Sequence, residues 1–240
     1  MLSRIAGAVV PLFGHLTVTA DTDAELRPGS IIAANHTSLG DPAVVLAALH
    51  RLGVAPVVLA AAGLWRIPLL ASALTRDGFV PVHRGDPRAA HALEGAAEAL
   101  TAGRLVLLYG EGGLPHRKDA GEAAPRPFRS GIARLAHATG APVVPLGQAG
   151  ARRLVSGGPA KQLAGLATAP LRRPDLHVHI GAPVLLPGER TVATACAHRA
   201  VSAAWRTAAA RIGEPVAAAA SVRPPGPSPA SLPPEEAAAG

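Results

Sequence analysis

Six short apolar runs, at residues 31–34, 56–60, 79–82, 105–109, 143–146 and 176–180, constrain the fold of this chain more than any other feature. Each is nearly continuous rather than alternating, the pattern of a strand covered on both faces. Helical patterns fill the gaps. One begins at Asp41-Pro42 and stops before Gly53, a second begins at Asp86-Pro87 and stops at Gly103, and a third runs over 130–139 and stops at Gly140. Asp ahead of Pro is the signature of an N-cap with proline at the first helical position, and glycine commonly stands just past a helix end. Strands alternating with helices predict an α/β fold with a largely parallel central sheet flanked by helices.

The chain of 240 residues has the length of one domain with extensions. Residues 1–20 read as an N-terminal segment whose apolar run follows Arg4 and lacks a clear Ala-x-Ala-like cleavage site; it fits an interfacial helix or a first helix packed on the domain. Residues 21–212 read as the folded domain, closed by a helix over 189–212. Residues 213–240 turn into Pro, Ala and Ser with no core-forming pattern, which predicts a disordered tail. Apolar residues make up 49% of the chain but aromatics only 2%, so the core must be built from Ala, Val and Leu. No uncharged apolar stretch reaches the ~18 residues of a spanning helix. The best candidate, 54–74, holds Arg66, Gly63 and two prolines and reads as a buried strand followed by a short apolar helix. The lone Cys196 excludes an intramolecular disulfide, and no cysteine pair suggests zinc.

Chemistry concentrates at residues 35–42, Asn-His-Thr-Ser-Leu-Gly-Asp-Pro, directly after the first apolar run. His36 therefore sits on a strand-to-helix turn, where α/β proteins keep their sites. Asp41, five residues on, is placed to bond the imidazole Nδ1–H, fix the tautomer and leave Nε2 as a base. With no Gly-x-Ser-x-Gly elbow, Ser38 is a weak nucleophile candidate, and the pair suggests a base that activates the substrate's own hydroxyl. His177 and His179 alternate on one strand face, but no third ligand stands at a telling spacing, so they read as ordinary strand residues.

Three later segments follow the octet in order: Gly78-Phe79-Val80-Pro81-Val82-His83-Arg84-Gly85; Leu107-Leu108-Tyr109-Gly110-Glu111-Gly112-Gly113; and Ala141-Pro142-Val143-Val144-Pro145-Leu146. Pro127-Phe128-Arg129-Ser130-Gly131 lies between the last two, and His177-Val178-His179-Ile180-Gly181-Ala182-Pro183 follows. In this order the chain resembles the glycerolipid acyltransferases, typified by 1-acylglycerol-3-phosphate acyltransferases, over roughly residues 20 to 190. The resemblance implies that His36 is the general base, that Asp41 orients it, and that Asn35, Arg84, Glu111, Gly112, Gly113 and Arg129 bind substrate. It implies an acyl-CoA or acyl-carrier protein as co-substrate, a lysolipid hydroxyl as acceptor, no other cofactor and no metal. A peripheral place on the cytoplasmic face of the plasma membrane is the matching expectation.

Two departures bear on the acceptor. The family's Thr-Arg after Glu-Gly is replaced by Gly113-Leu114, and its Lys-x-Glu before an aromatic and Ile-Pro is absent from Ala60-Ala61-Ala62-Gly63-Leu64-Trp65-Arg66-Ile67-Pro68. Both missing cations are of the kind that grips a phosphate dianion. Arg84 is kept, and Arg117 and Lys118 lie just downstream of the eroded block. A non-phosphate acceptor, a thioester hydrolase and a non-catalytic lipid-binding homologue stay open beside lysophosphatidate acylation. The net charge of +7 fits either a genome that encodes Arg freely or attraction to anionic headgroups and CoA phosphates. Residues 147–175 read as loop-rich and basic, with Arg152, Arg153, Lys161, Arg172 and Arg173, either a solvated face or a surface for such phosphates. Nucleic acid is not an expected partner, since no recognised motif and almost no aromatic stacking surface is present.

Overall fold

The structure, a computed structural model, describes residues 1–83, 89–114 and 121–215. The expected acceptor residue Arg84, with Arg117 and Lys118, lies outside the described residues, as does 216–240.

Among the described residues seven strands form one sheet: β1 (His15–Ala20), β2 (Ile31–Ala34), β3 (Val57–Ala61), β4 (Val80–Val82), β5 (Val106–Tyr109), β6 (Val143–Ala149) and β7 (Asp175–Ile180), in the order β1-β7-β6-β2-β5-β3-β4. Strands β2 to β6 run parallel to one another, and β1 runs parallel to β7, but β6 and β7 pair antiparallel. The helices are α1 (Leu2–Phe13), α2 (Asp41–Arg51), α3 (Pro68–Arg76), α4 (Ala89–Thr101), α5 (Gly131–Thr139), α6 (Ala151–Leu154), α7 (Pro159–Arg172) and α8 (Arg190–Arg211), with a 3-10 turn over Ala62–Arg66.

Period-two alternation along the strands sorts side chains into two cores. Ile32, Ala34, Leu107, Val144 and Leu146 face α1 and α2, whereas Ile31, Ala33, Val106, Leu108 and Val143 face α4, α5 and α8. All these residues are buried, which explains why the runs read as continuous rather than alternating. Leu46 and Leu49 of α2 fill one core, and Ile132 and Leu135 of α5 the other. Gly147 in β6 lets α8 approach closely, because a Cβ there would overlap the Ala204–Trp205 backbone.

Three expectations are corrected. Residues 15–20, grouped with the N-terminal segment, form edge strand β1, in which Leu16 is the one fully buried side chain. Residues 147–175 are not loop-rich: they hold the end of β6, the short α6 and the 14-residue α7. Glu214, assigned to the tail, is held by Arg153, with Nη2 to Oε1 at 2.6 Å.

Candidate active site

The carboxyl ends of β2, β5 and β6 lie side by side, the place where a parallel sheet presents loops to a ligand. Strand β2 releases its chain at Ala34, and residues 35–40 turn before α2 begins. Asp41 is not the N-cap expected from its sequence. Gly40 holds that position, and Asp41 is the first helical residue. Its carboxylate folds back over the turn instead. Oδ2 accepts the Thr37 N–H at 2.5 Å, the Ser38 N–H at 2.9 Å and the His36 Nδ1–H at 3.0 Å. One fully buried oxygen thus fixes both the turn backbone and the imidazole tautomer. Nε2 of His36 makes no hydrogen bond to a described residue, and the ring is stacked on Tyr109, centroids 4.4 Å apart.

Glu111, at the end of β5, supports the turn from the other side. Its Oε1 accepts the His36 backbone N–H at 2.8 Å, and its Oε2 accepts Arg126 Nε at 3.3 Å. Arg126 also donates to the Gly113 carbonyl. Burial raises the Glu111 pKa, opposed by the hydrogen bonds from His36 and Arg126 and by the Arg126 charge. Both Glu111 oxygens are therefore held by the protein.

Asn35, expected among the substrate-binding residues, is fully buried and its amide is used within the fold. Nδ2 donates to the Gln148 carbonyl at 3.0 Å and Oδ1 accepts the Gln148 N–H at 2.8 Å, extending the β2–β6 pairing through a side chain. Ser38 donates from Oγ to the Val155 carbonyl at 2.6 Å and accepts the Gly40 N–H, a structural role. Arg152, buried, donates to the carbonyls of Thr37 (2.7 Å) and Gly121 (2.9 Å). Next to it, Glu122 accepts the Gly150 N–H at 2.8 Å; burial raises its pKa to about 7, with the nearby Asp41 charge adding to the effect. His177 and His179 bond Thr17 and Thr19 on the edge strand and Asp21 just after it, away from His36, and no cluster of three metal-ligating side chains occurs among the described residues.

Three buried polar atoms, Asp41 Oδ1, Tyr109 Oη and Gln148 Oε1, have no hydrogen-bond partner among the described residues. All three belong to the first residue of α2 or to the strand ends beside the turn. Burial and the Asp41 charge push the Tyr109 pKa well up, so its phenol stays protonated. Beside Tyr109 opens a cavity of about 760 Å3, lined by Leu59, Val82, Leu93, Leu108 and Ile132 and rimmed by Arg129 and Arg134. Gly112 takes φ +68°, and a Cβ there would stand 2.6 Å from the Arg129 side chain. Gly110 likewise leaves room for the Phe128 ring.

Tyr109, Arg126 and Gln148 were not given a role by sequence, and Arg152, expected on a solvated or phosphate-facing surface, is instead buried against the turn. Arg126 sits in a Pro-rich segment with no periodicity, and Gln148 falls just past the expected end of a strand. Only the order of the blocks hinted that these strand ends meet.

The acyltransferase family model matches residues 15–148, more than half of the chain and the part that holds the whole His36 turn and Glu111. The chain belongs to the acyltransferase family. It is an acyltransferase enzyme with the family's α/β fold. Among solved structures it is similar to the 1-acyl-sn-glycerophosphate (LPA) acyltransferase PlsC from Thermotoga maritima, with TM-score 0.64 and 19% identity, over 88% of this chain and 78% of that one. No curated protein matches the chain.

Proposed function

We propose that this acyltransferase moves a fatty acyl group from an acyl-CoA or acyl-carrier protein thioester to the hydroxyl of a lysolipid such as 1-acylglycerol-3-phosphate, working peripherally at the cytoplasmic face of the plasma membrane. The observation that carries the reading is the single Asp41 oxygen that binds His36 Nδ1 and two turn amides, leaving Nε2 as the basic nitrogen. Nε2 takes the proton of the acceptor hydroxyl as that oxygen attacks the thioester carbonyl. The C–S bond then breaks, and the imidazolium returns the proton to the departing thiolate. Asp41 stabilises the imidazolium without itself taking the proton. Glu111 and Asn35 hold the turn, and the apolar cavity beside Tyr109 suits an acyl chain, with Arg129 and Arg134 at its rim for an anionic group.

Ala61 and Leu114, which stand where relatives carry cations, favour a second acceptor class, a lysolipid without a phosphate dianion. The test is thiol release from long-chain acyl-CoA by wild type and His36→Ala, with lysophosphatidate and with other lysolipids. We expect acceptor-dependent release that falls about 10² to 10⁴-fold in His36→Ala while the fold is kept. Release without any acceptor would identify a hydrolase instead. Full activity in His36→Ala would refute the role of the base. Release with a neutral lysolipid alone would assign the second acceptor class.

A further inference from the structure

Helix α7 has one buried residue, Ala169, in 14 positions, yet it carries three leucines. Leu163 and Leu171 are 71% and 89% exposed, and Leu166 is exposed beside them. The neighbouring α1, which packs against α7, turns Ile5, Val9 and Leu12 outward at helical spacing, with Leu12 64% exposed. An amphipathic helix with its apolar side turned to water lacks a partner. Basic residues predominate beside these leucines, the nearest carboxylates being Asp175 after α7 and Asp77, which pairs with the Met1 amino group at the start of α1. No Asp or Glu occurs over 1–20 or 123–174. Arg4, Arg172 and Arg173 are exposed, and Arg172 and Arg173 donate only to backbone carbonyls or a threonine hydroxyl among the described residues.

This face is tied to the His36 turn. Helix α7 packs on α6, and Ser38 of the turn donates to the Val155 carbonyl at the end of α6. Because β7 runs antiparallel to β6, the start of β7 lies level with the end of β6, on the same sheet edge as the turn. The last turn of α7 and, through β1, the last turn of α1 are brought to that edge too.

We propose that the α1–α7 face is the surface on which the protein lies against an anionic lipid bilayer, the leucines entering the acyl boundary and the arginines meeting headgroups. This rests on the reading of a lysolipid acyltransferase, and it adds which surface meets the lipid.

The test is co-sedimentation of the full chain with phosphatidylcholine vesicles, with and without phosphatidylglycerol, comparing wild type with Leu163→Asp/Leu171→Asp and with Leu64→Asp/Leu69→Asp, which lie on the 3-10 turn and the first turn of α3. Leu69, Leu163 and Leu171 are largely exposed and Leu64 partly so, and circular dichroism checks that both variants keep the fold. We expect binding that requires phosphatidylglycerol, weakens with salt and drops at least about tenfold in the α7 variant only. Acyl transfer to a monomeric short-chain lysolipid is unchanged in that variant, whereas transfer to an acceptor embedded in vesicles falls with binding. Undiminished vesicle binding by the α7 variant, or loss only in the α3 variant, overturns the proposal while leaving the transfer chemistry intact. A concentration-dependent dimer broken by the α7 substitutions, with no vesicle binding by wild type, also overturns it. Absence of transfer to the monomeric acceptor by wild type tells instead against the acyltransfer reading itself.

Discussion

Glu111 is the residue at which an acceptor-binding and a positioning role separate cleanly. Its Oε1 receives the His36 amide and its Oε2 faces Arg126, so no oxygen points to a ligand unhindered by the protein. Removing the carboxylate leaves a buried N–H without an acceptor, which costs about 1–3 kcal/mol. We expect Glu111→Ala to lower kcat about tenfold or more with little change in the acceptor KM, and Glu111→Gln to recover most of the rate, because its carbonyl still accepts from His36. Steady-state kinetics on both variants check this, and a change confined to acceptor KM would return Glu111 to the acceptor site. The His36–Asp41 pair was legible at this scale because its spacing carries the geometry. The orientation of Asp41 was not, because its helix-cap signature described the chemistry of the position and not the competition for its carboxylate, which three donors in the preceding turn win.

Elements were legible where burial dictated them. Strands β2, β5 and β6 are covered on both faces, and their apolar runs follow directly. Strand β1 escaped notice because an edge strand needs only one apolar face, and His15, Thr17 and Thr19 fill the other. Helix α7 escaped because Gly157-Gly158-Pro159 and Pro170 read as breakers, although Pro159 stands in the first turn, where proline fits, and the core asks for only Ala169. Packing of α8 on β6 depends on a missing side chain. Gly147→Ala would drive a methyl group into the α8 backbone, and we expect a loss of about 3 kcal/mol, or roughly 10 °C in melting temperature. Thermal unfolding checks it, with Gly131→Ala, where a Cβ meets nothing within 4 Å, as the comparison.

At the scale of the whole molecule, Glu122 links stability to pH. Its carboxyl titrates near 7 when folded against 4.5 when exposed, so its contribution is complete below about pH 4.5 and is lost as the pH rises through 7. The shift corresponds to about 3 kcal/mol. Urea unfolding at pH 5 and pH 8 is expected to show Glu122→Gln gaining stability relative to wild type at the higher pH; a parallel pair of curves would contradict it.

The reversal of chain direction between β6 and β7 has a further consequence. It gathers residues 150–174 into an excursion that leaves and re-enters the sheet at one edge, with Ser38 touching only its first part, Ala151 and Val155. The remainder, from Gly157 to Arg172, is tied to the fold mainly through Ala169, the close approach of Gly165 to Leu154 and the Arg172 bond to the Arg153 carbonyl. On the bilayer proposal, replacing it by another amphipathic segment of equal length that keeps Ala169 and Gly165 is expected to change which vesicle composition the protein binds, with transfer to a monomeric acceptor unchanged.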